Sequence, residues 1–262
     1  MQKKHYPISI FILDVRNSSA NNVGDELTVY LDEIVKGITI WTKDVDSTQI
    51  RHRAGDEIIF VGYGYSTAYI LAFFLSRIWK YRGHQPYFGL AFGDIDRSLE
   101  EIDIEKWIHP LIKQARYAND LLKQESNRPL FKFELDQFYQ SPFAYNQFRN
   151  EFESLLNTIL HLQYSLIKEQ TKIQEQVCST YLIVQQQKAV GTLLGKTPPT
   201  ISSHYKKGKS EEILGSFHEI ITILNSLQEK AYKNTWSKGE ILVHSIRNHL
   251  KENIKTVLDH KD

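Results

Sequence analysis

Cysteine is almost absent: of 262 residues only Cys178 carries a thiol. A lone thiol excludes an internal disulfide framework and any cysteine-rich zinc site, and it fits a reducing compartment, so the expected location is the cytosol. Net charge is equally scarce. Lys plus Arg number 32 against 31 Asp plus Glu, a balance that is silent about nucleic acid unless basic residues gather locally. Long hydrophobic runs are missing as well. The most apolar segment, Tyr69 to Trp79, falls well short of the roughly 20 residues a membrane span needs. The apolar run after the basic start, Met1 to His5, is cut by Asp14, which is wrong for a signal peptide. The ten histidines show no close metal-ligand spacing. What is present is an ordinary globular balance, 41% apolar and 24% charged, in a chain long enough for two compact domains.

The first half is organised around Arg53 to Gly62, where Gly55 and Asp56 interrupt two β-rich runs. The spacing predicts a hairpin, Gln49 to Arg53 and Glu57 to Gly62, that lifts the Asp56 carboxylate to the rim of a sheet. Ile8 to Leu13 is a continuous apolar run, the pattern of a central strand, and it ends in Asp14 before Asn17, Ser18 and Ser19. Two carboxylates at adjacent strand ends can share a divalent cation such as Mg²⁺, which makes Asp14 and Asp56 the candidate metal ligands. Helical periodicity predicts helices over Asp25 to Trp41, Ser66 to Lys80 and Glu105 to Lys123. Further strands are expected at Tyr87 to Phe92, ended by Gly93 and Asp94, and at Leu130 to Leu135. Glu57 reads as a solvent-side strand residue, Asp94 and Asp96 as a polar turn, and the aromatics of Tyr63 to Trp79 as core. This order of elements gives an α+β class, with helices on one face of a mainly antiparallel sheet.

Ile12, Leu13, Asp14 and Val15 followed by small polar residues resemble the first-strand metal motif of class III nucleotide cyclases, and Gly55-Asp56 resembles their second metal aspartate. Tyr87 to Asp94 is similar to the later strand that ends in a glycine and an acid. Ala115-Arg116 matches the helix step whose arginine contacts the nucleotide's phosphates; a surface pair of Arg116 with Asp120 is an equal alternative. The resemblance implies a ferredoxin-like, nucleotide-cyclase-like palm. It also implies a nucleotide site that includes Arg116, Asn17 and Ser18. Ile112 stands where the family places an asparagine, and an aliphatic side chain cannot donate that hydrogen bond.

Ser126 to Asn146, with Pro129 and Pro142, reads as a transition, dividing the chain into an α+β domain over 1–136 and an all-α domain over 137–262. Phe148 to Gln187 is helical in period and splits near Glu169 to Lys172. Gly191, Leu194, Gly195, Thr197, Thr200, Ile201 and Ser202 then fit the spacing of a helix-turn-helix over about 187–207. In that spacing Gly191 allows close approach, Gly195 takes the left-handed turn, and Thr197 caps a helix whose first turn holds Pro198 and Pro199. No acid occurs between Gly191 and Ser210. Lys196, Lys206 and Lys207 are placed for phosphate, and Thr200, Ser202, Ser203 and His204 for the duplex face of the second helix. Apolar stripes over Glu211 to Tyr232 and Ser237 to His260 suit either a homodimer interface or packing within the chain.

Taken over nearly its whole length, this order of motifs resembles the SatD family of bacterial proteins. That resemblance implies a cytoplasmic protein pairing a cyclase-like domain with a DNA-binding module. The expectation is a regulator that binds double-stranded DNA as a dimer, while its first domain senses a nucleotide or supports assembly. The alternative is a nucleotide cyclase or nucleotidyl-transfer enzyme using Mg²⁺ at Asp14 and Asp56.

Overall fold

A computed structural model describes residues 5–16, 24–45, 47–53, 55–125, 127–135, 148–231 and 238–259. The first half runs β1 (Tyr6–Val15), α1 (Gly24–Trp41), β2 (Thr48–His52), β3 (Ile58–Tyr63), α2 (Thr67–Ile78), β4 (Pro86–Ile95), α3 (Pro110–Gln124) and β5 (Phe131–Phe133). The strands make one mixed sheet in the order β2-β3-β1-β4-β5, antiparallel except for the parallel pair β4 and β5. The class is therefore α+β. The unbroken apolar run of β1 puts it at the centre, because both of its faces are covered.

On one face Phe11, Leu13 and Val15 meet α1 and α2; on the other Ile8, Ile10 and Ile12 meet Leu111, Ile112 and Ala115 of α3. Helices thus cover both sides, which corrects the expectation of a single helical face. The reason lies in β4, which lines the second face with Gly89, Ala91 and Gly93 opposite Ile12, Ile10 and Ile8. A Cβ on Gly89 would overlap the Ala115 carbonyl oxygen and the Asn119 backbone. The missing side chain lets α3 lie directly on the sheet. Buried Asn119 then fastens it there, its Nδ2 donating to the carbonyls of Ile12 at 3.0 Å and Tyr87 at 3.3 Å.

Two boundaries in this half also differ from expectation. β4 continues to Ile95, so Gly93 and Asp94 lie inside the strand, and Asp94 is fully buried, accepting from the Tyr65 hydroxyl at 2.8 Å. Only Asp96 is at the surface, beside Arg97 at 3.8 Å. The third helix begins at Pro110 rather than Glu105. The residue before a proline is pushed out of the helical region, and proline suits the first helical position; His109 is extended and its Nδ1 accepts from the Leu111 amide at 3.3 Å.

The second half is helical: α4 (Arg149–Glu169), α5 (Lys172–Val184), α6 (Gln187–Leu194), α7 (Pro198–Lys207), α8 (Ser210–Ala231), α9 (Gly239–Glu252) and α10 (Ile254–Asp259). The expected break after Glu169 is present. The last predicted helix is in fact α9 and α10, separated at Asn253, whose side-chain Nδ2 donates to the His249 carbonyl at 2.9 Å and so competes with the regular helix bonds. Helix α2 is buried on nearly every side because the sheet covers one flank and α8 and α9 the other; Phe73 stacks on Phe217 at 4.2 Å. The apolar stripes of α8 and α9 (Ile213, Phe217, Ile220, Leu242, Ile246, Leu250) are therefore consumed within the chain, which removes them as a dimer surface. Buried polar ties lace the same contact, among them Tyr65 N to Gln228 Oε1 at 3.0 Å and Ser66 Oγ to Asn225 Oδ1 at 2.6 Å. Among the described residues no helix is long and apolar enough to cross a membrane.

Candidate functional site

Two regions gather the residues singled out by the sequence. The first is the end of the sheet where β1, the β2–β3 hairpin, the start of β4 and α3 meet. Register pairs Asp14 with Tyr87 and Leu13 with Ile58, so the chain around Asp56 and Glu57 flanks the end of β1. The hairpin is closed by the Arg53 amide donating to the Glu57 carbonyl at 2.9 Å. Asp14 is only 8% exposed. Its Oδ1 accepts from the Tyr87 hydroxyl at 3.0 Å, and its Oδ2 lies 2.5 Å from Lys123 Nζ. Burial pushes the Asp14 carboxyl above its ordinary value; Lys123 opposes that shift and the charge of nearby Asp56 adds to it. Burial also raises the Tyr87 hydroxyl, reinforced by Asp14 and, more weakly, Asp56.

Beside this group sits a second ionic knot. Arg116 Nη2 lies 2.9 Å and Arg53 Nη1 3.5 Å from the same Glu57 oxygen, and Arg53 Nη2 also donates to the Ile104 carbonyl at 3.2 Å. Glu57 is thus half-buried and paired, where a solvent-side residue was expected, and Arg116 pairs with it instead of Asp120. Asn17 and Ser18 lie outside the described residues. Ile112 is buried against the sheet.

Mg²⁺ needs hard oxygen ligands in near-octahedral array. Asp14 has both oxygens committed, to a hydroxyl and to an ammonium, and among the described residues no three His, Cys, Asp or Glu side chains converge on a common point. The residues present do not fit a resident divalent ion. Lys123 and Tyr87 were not recognised in the sequence. Lys123 had a signal, since it follows Asn119 by one helical turn and Arg116 by two; Tyr87 had none, because only strand register puts it opposite Asp14.

The second region is the surface of α7. Gly195 is left-handed (φ 61°), as its place in the turn requires. The Thr197 hydroxyl accepts from the Thr200 amide at 3.4 Å and meets the Thr200 hydroxyl at 2.8 Å. On the inner side, fully buried Ile201 packs with Val177 of α5 and Val190 of α6, and Tyr205 meets Tyr181 with ring centroids 4.7 Å apart. Burial first, then neighbouring Tyr181, pushes the Tyr205 hydroxyl up to about 12. The far end of α7 is tied back to the sheet layer: the Gln170 side chain donates to the Gly208 carbonyl at 2.7 Å and accepts from buried Arg77 of α2 at 2.9 Å.

The outer side is open. Lys196, Ser202, Ser203, Lys206 and Lys207 are exposed, with Thr200 and His204 half-buried. The His204 Nδ1 is buried without a hydrogen-bond partner. Lys209 pairs with Glu212 at 3.3 Å, whereas among the described residues no ion pair reaches Lys196, Lys206 or Lys207. The acid-free stretch extends from Gln176 to Ser210 and adds exposed Lys188 at the start of α6.

No family model, no curated protein and no solved structure matches the chain.

Proposed function

We propose that the protein is a cytoplasmic DNA-binding transcriptional regulator of SatD type, in which α5, α6 and α7 act as a helix-turn-helix and α7 enters the major groove. The observation that carries this reading is the set of exposed lysines, without an ion pair among the described residues, around a rigidly seated helix in a chain of near-zero net charge. Such cations find their counter-ions outside the molecule, and a duplex backbone supplies them. Ser202 and Ser203 are on the exposed surface of the helix, with Thr200 and His204 half-buried at its margin, and these are the side chains proposed to reach base edges. The sheet half supports a nucleotide-cyclase-like ancestry, since β2-β3-β1-β4 with two crossover helices is the strand order of ferredoxin-like sheets. Its role here is to sense a nucleotide or to support assembly; a dimer would form through a surface other than the stripes of α8 and α9.

The enzyme reading is weaker. It asks Asp14 and Asp56 to hold cations while Lys123 sits on Asp14, and it lacks a hydrogen-bond donor at Ile112. Mobility shifts on a mixed-sequence duplex test the regulator. Changing Lys206→Glu with Lys207→Glu should weaken binding about tenfold or more. Unchanged affinity would refute it.

A further inference from the structure

The pairing of Asp14 departs from what its resemblance to a metal motif implies. We propose that Lys123 is the built-in cation of the Asp14–Asp56 end of the sheet, so that this end works without a divalent metal and a metal site lies latent beneath the lysine. The placement of Lys123 is dictated by the fold. Gly89 lets α3 lie on the sheet, and Asn119 binds the carbonyls of Ile12 and Tyr87. One helical turn later, Lys123 must arrive at the next pair along those two strands, Asp14 and Tyr87. Its ammonium meets Asp14 Oδ2 at 2.5 Å while Tyr87 holds Oδ1 at 3.0 Å.

An incoming Mg²⁺ or Mn²⁺ would have to shed water and displace a cation already in place. It would also set a second positive charge beside an ammonium anchored through Asn119. Neither cost is offset by a third acidic or imidazole ligand among the described residues. Lysine is a compact point charge well suited to stand in for an ion at a buried carboxylate. Arginine at the same position keeps the charge, whereas glutamine removes it and leaves the Asp14 carboxylate, with Asp56 nearby, without the ammonium that meets it.

Mn²⁺ uptake by the full chain, followed by electron paramagnetic resonance, tests the assignment. Wild type, Asp14→Asn and Lys123→Arg should take up Mn²⁺ identically and weakly. Lys123→Gln should gain one site at least tenfold tighter than any in wild type, lost again when Asp14→Asn is added. A Mn²⁺ site in wild type that Asp14→Asn abolishes would overturn the proposal, as would a folded Lys123→Gln that gains nothing. Should Lys123→Gln fail to fold, the wild-type and Asp14→Asn comparison still decides.

Discussion

The sheet end and the α7 surface both concentrate charge, yet they treat it in opposite ways. At the sheet end Asp14 is held by Lys123 and Tyr87, and Glu57 by Arg116 and Arg53. On α7 and the turn before it, Lys196, Lys206 and Lys207 stand exposed with no acid on the same stretch of chain. Charge compensated within the molecule contributes to its architecture, whereas charge left uncompensated on a rigid helix is available to a partner. The two regions are also joined to one framework, since α2 carries the sheet on one flank and, through Arg77 and Gln170, braces the end of α7.

This contrast can be broken at either end. The largest effect is expected from Gly89→Val, which forces a side chain into the Ala115 carbonyl and lifts α3 from the sheet. Overpacking of this kind should cost about 3 kcal/mol, lowering Tm by roughly 6–12 °C in a calorimetric scan. Next, Ile201→Ala removes the fully buried anchor of α7. It should cost about 2–3 kcal/mol and weaken DNA binding while every lysine remains, which separates the seat of the helix from its surface. By contrast, Lys206→Glu with Lys207→Glu should leave unfolding in urea within about 0.5 kcal/mol of wild type. A large loss of stability there would mean that these lysines are structural after all.

The smallest effect is a pH dependence. Asp14 binds its proton more tightly folded than unfolded, because its carboxyl is raised by burial. The resulting contribution to stability is full below the unfolded value of 3.8 and is lost as pH rises through the higher folded value. The stability of wild type relative to Asp14→Asn should therefore fall as pH is raised through that window, measured by urea unfolding, and level off above it.

Much of this was readable from local pattern. The continuous apolar run of β1, the Gly55-Asp56 turn and the Gly195, Thr197, Pro198 sequence each carry their conformation in a few adjacent residues, and each lies where those residues put it. Pro110 was equally legible but was outweighed by apolar periodicity upstream of it, which is why the third helix was begun too early. The pairing of Asp14 with Tyr87 and of Glu57 with Arg116 could not be read. Those partners arrive from residues distant in sequence through strand register and through the close approach that Gly89 permits, whereas Lys123 had its helical spacing and Arg53 lies only four residues before Glu57. Asp94 was misassigned for the same reason, since its burial depends on Tyr65 reaching across the sheet.

The salt dependence of DNA binding bears most directly on the claim that α7 is a duplex-reading helix. Fluorescence anisotropy of a labelled duplex across a range of salt should show affinity falling steeply as salt rises. In Lys206→Glu with Lys207→Glu the slope of log affinity against log salt should shrink by about two, roughly one per lost phosphate contact. A wild-type affinity indifferent to salt, or a slope identical in the variant, would contradict the account.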